Sequence, residues 1–448
     1  MIRRLFFLFR CALALAVLAA PGPLRAQEQG PRLIRDTEIE TVLAGFAAPL
    51  LEAAGMRSES LGLYLVDDPA LNAFAASGAR VFVHTGLILE SQDAGQVTGV
   101  LAHELGHVLG RHVARIGEGM GNARAQALAV MLLGLPLALA TGQPDALRAS
   151  TALGGHIGTQ SALAYTRGME QAADQAALRL LDAAGLSAHG LESFLEILAS
   201  AEQLGGSPAD AYSRTHPLSR DRISLIRNHV ATAPPGLRPP DPAQNAAHAR
   251  IRAKLAGYLL PAPQVALRYP PEDASLPALY ARAILDMRQN RTEAALAGAA
   301  RLRELAPDDP FFQELTGDIL FRAGRMAEAA GFYRQAIAAL PEAPLLHQAL
   351  ARTALEPPAA DLDLAVAELE RALLLEPWNL FSWRLLATAE GRRGNDGAAA
   401  LALAEEAARG GNDGRARELA GKAARLLPAD SPGARRAADI LLELEQPR

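Results

Sequence analysis

Cysteine is nearly missing from this chain: among 448 residues only Cys11 carries a thiol. That excludes a disulfide framework, and with Cys11 so close to the start it leaves no thiolate metal site in the body of the protein. Aromatic residues are scarce, at 5%, while alanine is abundant, a bias that favours helix. No block of lysine or arginine stands out and the formal net charge is −5, which argues against nucleic acid as a partner. No unbroken apolar run reaches the ~20 residues needed to cross a bilayer. With 50% hydrophobic and 21% charged residues, the composition suits two globular domains.

Residues 1–26 read as a secretory signal peptide. Arg3 and Arg4 open it, Cys11 to Ala20 form the apolar segment, and Leu24-Arg25-Ala26 offers a cleavage site before Gln27. An uncleaved anchor is the alternative, opposed by the helix-breaking Pro21-Gly22-Pro23. Cleavage removes Arg3, Arg4, Arg10 and Arg25, which takes the formal charge from −5 to −9.

The chemistry that is present concentrates in His103-Glu104-Leu105-Gly106-His107. At ~100° per helical residue the two histidines lie ~40° apart on one face, one turn above the other, so both rings reach one metal ion. Glu104, beside the first ligand, is placed to hold a water bound to that metal, the general-base arrangement of a zinc peptidase. The flanking Val97-Thr98-Gly99-Val100-Leu101-Ala102 and Val108-Leu109 are apolar and small, which predicts a buried helix; imidazole and carboxylate groups are seldom buried without a partner. His112 stands one place before the position at which a third histidine of the longer motif is expected, a rotation of ~100° along a helix. It is therefore not expected to be a ligand.

The third ligand is expected in Glu170-Gln171-Ala172-Ala173-Asp174. Glu170 and Asp174 are one helical turn apart among alanines; the first completes a two-His, one-Glu site for one Zn2+ per chain, and the second orients a ligand histidine through its free ring N–H. A solvated acidic face is the alternative for this pair. Between the two motifs, residues 123–141 form an apolar stretch broken by Gly134 and Pro136. It reads either as a helical hairpin over the cleft or touching a membrane surface, or as an ordinary pair of core helices.

Around these motifs, Thr37 to Gly55 has apolar residues at helical spacing (Ile39, Val42, Leu43, Phe46, Leu50, Leu51), a helix expected to pack on the metal helix. Leu61 to Val66 and Arg80 to Thr85 read as two strands of a small antiparallel sheet whose edge could pair with an extended substrate. His84, in the second run, is expected to be structural. Ser91-Gln92-Asp93 reads as a helix cap. Further on, Thr215-His216-Pro217-Leu218-Ser219-Arg220-Asp221-Arg222 forms a loop entering a helix, with Pro217 biasing His216 to an extended backbone. Residues 27–232 are expected to form a zinc metallopeptidase domain, and the proline-rich stretch 233–247 a stiff linker.

HELGHVLGRH, EQAAD and THPLSRDR, in this order and spacing, resemble the gluzincin metallopeptidase family of the CAAX prenyl proteases and their soluble bacterial relatives. The resemblance covers roughly residues 35–230. It implies a zincin-like α+β fold with His103, His107 and Glu170 as zinc ligands, Glu104 as base and Asp174 as a supporting or proton-handling residue. It also places His216 near the zinc, with two opposed roles. His216 either occupies the open metal position as a plug or, with Arg222, donates to the developing oxyanion; capping its own loop is the third reading. The chain departs from the membrane-embedded members in having no sure transmembrane helix, which puts prenylated substrates in doubt.

Residues 248–448 carry a 34-residue period, the interval between Pro307 and Pro341, as in tetratricopeptide repeats. Gly317, Leu320, Gly324, Ala329, Tyr333, Ala336 and Pro341 mark the clearest unit, and Glu356-Pro357-Pro358 supplies a two-residue insertion in the next. A degraded pair near Arg415 to Leu442 is expected to cap the stack. Arg282, Arg322, Tyr333 and Trp378 are candidates to line its concave surface, Tyr333 being better explained as packing. The expected whole is mainly α: a metallopeptidase domain followed by an all-α repeat solenoid. Its expected function is that of a secreted zinc endopeptidase of the periplasm whose repeats position unfolded protein. The resemblance implies misassembled outer-membrane proteins or their assembly machinery as partners. The rival is a chaperone-like repeat scaffold with a structural zinc domain.

Overall fold

The computed structural model describes residues 32–115, 166–204, 212, 215–358 and 360–445. Residues 1–26, expected to form a signal peptide, and the apolar stretch 123–141 lie outside the described residues. Among the described residues no helix is long and apolar enough to cross a membrane.

The first described element is strand β1 (Leu33–Ile34), and Asp36 then caps helix α1 (Thr37–Ala53) by accepting from the Ile39 amide. The predicted apolar stripe of α1 is buried at Ile39, Leu43, Phe46, Leu50 and Leu51. Strands β2 (Gly62–Val66), β3 (Ala73–Ala76) and β4 (Arg80–His84) follow, then helix α2 (Thr85–Glu90) and the metal helix α3 (Ala94–Leu109). Asp93 caps α3 through the Gln96 amide, as its place in the sequence predicts.

The sheet is mixed rather than antiparallel, with order β1-β2-β4-β3. The two predicted strands are parallel neighbours, Tyr64 opposite Phe82, because an unpredicted strand intervenes in the chain. Residues 73–76, Ala-Phe-Ala-Ala, have little β-propensity, yet they form an antiparallel hairpin with β4 (Phe74 opposite Phe82) and reverse its direction relative to β2. Three of the few aromatics hold this register: Tyr64 and Phe74 each stack on Phe82 at 5.0 Å.

Helix α4 (residues 166–183), α5 (His189–Leu204) and α6 (Arg220–Thr232) complete the layer around α3. The proline-rich stretch, expected as a stiff linker, is tied to the elements on both sides of it. Arg238 bridges back to Leu186, and a helix, Pro242–Leu259, begins inside the stretch with Pro242 in its first turn and Asp241 and Gln244 closing a capping box. Ile251, Leu255 and Ala256 of this helix enter the same core as α1 and α3.

Five helix pairs follow: Leu276–Arg288 with Thr292–Leu305, Pro310–Arg322 with Met326–Ala339, Pro344–Leu355 with Leu362–Leu375, Leu380–Arg392 with Asp396–Arg409, and Asp413–Leu426 with Pro432–Glu443. Their first helices start at 276, 310, 344, 380 and 413. The period of 34 is thus kept twice and lengthened by two residues across the pair that holds Glu356-Pro357-Pro358.

The start of α1 is gripped through buried charge by helix Pro242–Leu259 and by the pairs that follow it. Arg250 reaches Glu38 and Asp309, each at 2.6 Å, and Lys254, only 3% exposed, reaches Asp36 at 2.8 Å and Glu38 at 3.3 Å. Tyr280 donates to Glu38 at 2.7 Å, Thr37 donates to Glu314 at 2.9 Å, and Arg35 meets Glu376 at 2.8 Å. Of the four residues expected on a free concave surface, Arg282 is spent on the carbonyls of Tyr269, Pro270 and Asp273, and Tyr333 is buried with its hydroxyl on Asp318. Arg322 is exposed, and Trp378 is 72% exposed beneath the Arg409 guanidinium.

Candidate metal centre

Helices α3 and α4 cross where Gly106 meets Ala173. A Cβ on Gly106 would lie 2.6 Å from the Ala173 carbonyl oxygen, so only glycine lets the two backbones approach this closely. That approach brings the HELGH and EQAAD motifs together. His103 Nε2 lies 3.3 Å from Glu170 Oε2, His107 Nε2 lies 3.3 Å from Glu170 Oε1, and the two Nε2 atoms are 3.1 Å apart. His216 enters from its loop with Nδ1 3.2 Å from Glu170 and 3.4 Å from His103 Nε2. One ligand atom from each of His103, His107, Glu170 and His216 falls within 4.8 Å of all the others, and all four residues are buried.

Asp174 and Arg222 stand behind this cluster. Asp174 Oδ1 is 2.8 Å from His103 Nδ1, on the side of the ring opposite Glu170. Arg222, 1% exposed, grips Asp174 with Nε at 2.7 Å and a second nitrogen at 2.9 Å, and its remaining nitrogen is 3.0 Å from Glu170. The Arg222 donors are also turned to the carbonyls of His216 and Pro217, so the guanidinium ties the loop to the ligands. The Ser219 cap on the Arg222 amide sets the start of this helix.

Burial lowers the basicity of His103, but Asp174 and Glu170 outweigh it and lift the ring to about 9. Burial would raise Glu170, yet the hydrogen bonds from His103, His107 and His216 hold its carboxyl far below the ordinary range. Asp174 is lowered against its own burial by His103 and then Arg222.

Both oxygens of Glu104 are buried without a hydrogen-bond partner, and Oε1 lies 3.5 Å from His216 Nε2. Three buried carboxylates (Glu104, Glu170 and Asp174) thus face a single buried guanidinium, a charge balance completed by a cation among imidazole and carboxylate ligands. The chemistry of this donor set fits zinc.

Beside the cluster lies a cleft of about 210 Å³, bordered by Phe74, Ala75, Glu104, His107, Glu170 and His216. Strand β3, the edge of the sheet, forms its wall. His84 stays outside, 3.6 Å from Asp68 and edge-on to Phe74. Two neighbours of the site were not expected there, Tyr212 because nothing in the sequence marked it and His112 because its spacing read as turned away. Tyr212 stacks on His216 at 4.7 Å, and His112 lies against the far side of His107.

Comparison with known proteins agrees with this geometry. Residues 34–230 match the model of peptidase family M48. Similar proteins include the putative beta-barrel assembly-enhancing protease of Vibrio cholerae serotype O1, 29% identical over 234 residues, which are 52% of this chain and 48% of the relative. The beta-barrel assembly-enhancing protease of Yersinia pestis is 27% identical over 339 residues, 74% of this chain and 68% of the relative. The mitochondrial metalloendopeptidase OMA1 of Schizosaccharomyces pombe is 30% identical over 184 residues, 41% of this chain and 51% of the relative. The matched part of the chain therefore spans about half the length of the Vibrio and Schizosaccharomyces relatives. Because the matched segment holds His103, Glu104, His107, Glu170, Asp174, His216 and Arg222 alike, residues 34–230 are a domain of peptidase family M48, built for zinc.

Proposed function

We propose that the chain is a secreted zinc endopeptidase of the periplasm that cleaves unfolded or misassembled proteins, outer-membrane β-barrel proteins among them. The observation that carries the catalytic reading is Glu104, a fully buried carboxylate with neither oxygen hydrogen-bonded, beside the four ligand atoms. A structural site has no use for such a group. Zinc, when bound, polarises the scissile carbonyl and acidifies water. Glu104 takes the proton of the attacking water and passes it to the leaving amine. His103, His107 and Glu170 hold the metal, while Asp174 and Arg222 keep His103 and Glu170 in place. An extended substrate adds to the free edge of β3, which puts its backbone along the cleft wall.

His216 acts as a plug in this proposal: its ring already stands among the ligands, and Tyr212 stacks on it. Arg222 is a positioning residue, since its donors are directed to Asp174, Glu170 and the loop carbonyls. Residues 276–443 are read as tetratricopeptide repeats that bind polypeptide partners, with assembly machinery for β-barrel proteins suggested by the names of the bacterial relatives.

The four-ligand cluster also favours a second reading, a closed structural zinc in a chaperone-like scaffold, because structural sites use four protein ligands. One experiment separates the two: zinc content and cleavage of an unfolded protein by the wild type beside Glu104→Gln and His216→Ala. The endopeptidase reading expects Glu104→Gln to keep zinc and lose ~10²–10⁴-fold in rate, and His216→Ala to keep zinc and cleave faster or less selectively. Absence of cleavage by every form with zinc bound supports the scaffold instead.

A further inference from the structure

His112 is set apart by the way the metal helix ends. Gly110 terminates α3, and Arg111 takes a left-handed backbone with φ 50°, so the chain turns instead of continuing its spiral. The turn folds the His112 ring back onto His107, edge to face, with centroids 4.9 Å apart. His112 is buried, and its Nδ1 lies 3.0 Å from His107 Nδ1. The space for this comes from Gly110, where a Cβ would sit 2.2 Å from His112 Nε2.

The pairing of two ring nitrogens fixes which of them carries a proton. His107 Nε2 points at His103 and Glu170, so Nε2 is its ligand atom and must present a lone pair. In the neutral ring the proton then sits on Nδ1, which needs an acceptor. The atom facing it is His112 Nδ1, which accepts only in the neutral tautomer that carries its own hydrogen on Nε2. His103 is held differently, with its Nδ1 against the Asp174 carboxylate.

We propose that His112 is the positioning residue of His107: an uncharged acceptor that selects the tautomer and ring angle in which His107 Nε2 faces the metal. The two ligand histidines are then unequal. His103 is backed by a carboxylate, while the neutral imidazole behind His107 adds no further negative charge to a site that already has three buried carboxylates.

The inference rests on the zinc reading, and zinc affinity of the full chain, measured by competition with a chromophoric chelator, tests both. His112→Asn offers an amide oxygen near the place of Nδ1, whereas His112→Phe keeps the packed ring and removes the acceptor. Positioning through the acceptor predicts that Phe weakens zinc binding ~10–100-fold and that Asn stays within a few-fold of wild type. Packing alone predicts the opposite order. The Nδ1 proton resonance of His107 in the zinc-loaded protein is expected in the wild type and in the Asn variant. In the Phe variant it should be lost or shifted. If His112→Phe does not fold, Gly110→Ala, which evicts the native His112 ring, is expected to weaken zinc binding to the same degree. Wild-type affinity in the Phe or the Gly110→Ala variant overturns the assignment of His112. Failure of the wild type itself to bind zinc overturns the zinc reading as well.

Discussion

Asp174→Asn removes one charge and almost no volume from the tightest part of the site, so its effect follows from electrostatics alone. Asp174 accepts two nitrogens of Arg222, at 2.7 and 2.9 Å, and lies 2.8 Å from His103 Nδ1. An asparagine has one acceptor oxygen. Either way round, its amide hydrogens oppose a donor, the guanidinium on one side or the imidazole N–H on the other. Arg222 is then a buried cation whose only remaining carboxylate partner among the described residues is Glu170, itself a proposed ligand. Breaking a buried ion pair in this way costs ~3–5 kcal/mol of stability. Losing the partner of a ligand histidine costs a further ~10–100-fold in metal affinity. With zinc in excess that affinity loss subtracts an additional ~1.4–2.7 kcal/mol from the stability of the loaded form.

The assay is denaturant unfolding of wild type and variant, each with saturating zinc and with chelator. The stripped variant is expected to lie ~3–5 kcal/mol below the stripped wild type. The stabilisation gained on loading should be smaller in the variant. If both forms of the variant unfold within ~1 kcal/mol of wild type, a small fraction of the cost of an orphaned buried charge, Asp174 does not hold Arg222 and His103 as argued.

Gly106→Ala is expected to force α3 and α4 apart, at ~1–3 kcal/mol of overpacking. It should weaken zinc binding without touching a ligand; unchanged zinc affinity would show that the Gly106–Ala173 contact does not set the ligand spacing. Glu314 gives a pH dependence. Burial is the main cause that pushes its carboxyl up to about 8; Lys254 opposes the rise and Asp36 adds to it. The folded state therefore holds a proton that the unfolded chain releases near its ordinary carboxyl value, so this group's contribution to stability is full below that value and is lost as pH rises toward 8. Glu314→Gln should flatten that part of the curve, with melting at pH 9 higher than wild type, and equal pH slopes in the two proteins would refute the assignment.

The spacing of residues along the chain was enough to single out His103, His107 and Glu170, which the fold gathers into one buried cluster with His216. Two histidines four apart in a helix share a face whatever surrounds them, and a carboxylate four before Asp174 obeys the same rule. The repeat period was equally legible, down to the two extra residues at Glu356-Pro357-Pro358, because each helix pair is a local unit packed on its neighbours. What local rules could not reach depended on the chain turning or meeting a distant part of itself. Strand Ala73–Ala76 has little propensity of its own and exists because β4 pairs with it, which makes β2 and β4 parallel. His112 looked rotated away from the site only on the premise that α3 continues; the left-handed turn at Arg111 brings it back onto His107. The grip of Arg222 on Asp174, 48 residues earlier, and of Tyr280 on Glu38, 242 residues earlier, has no periodic signal. Such partners are found only when folding removes water from them, since a buried charge must then find its counter-charge wherever in the sequence it lies.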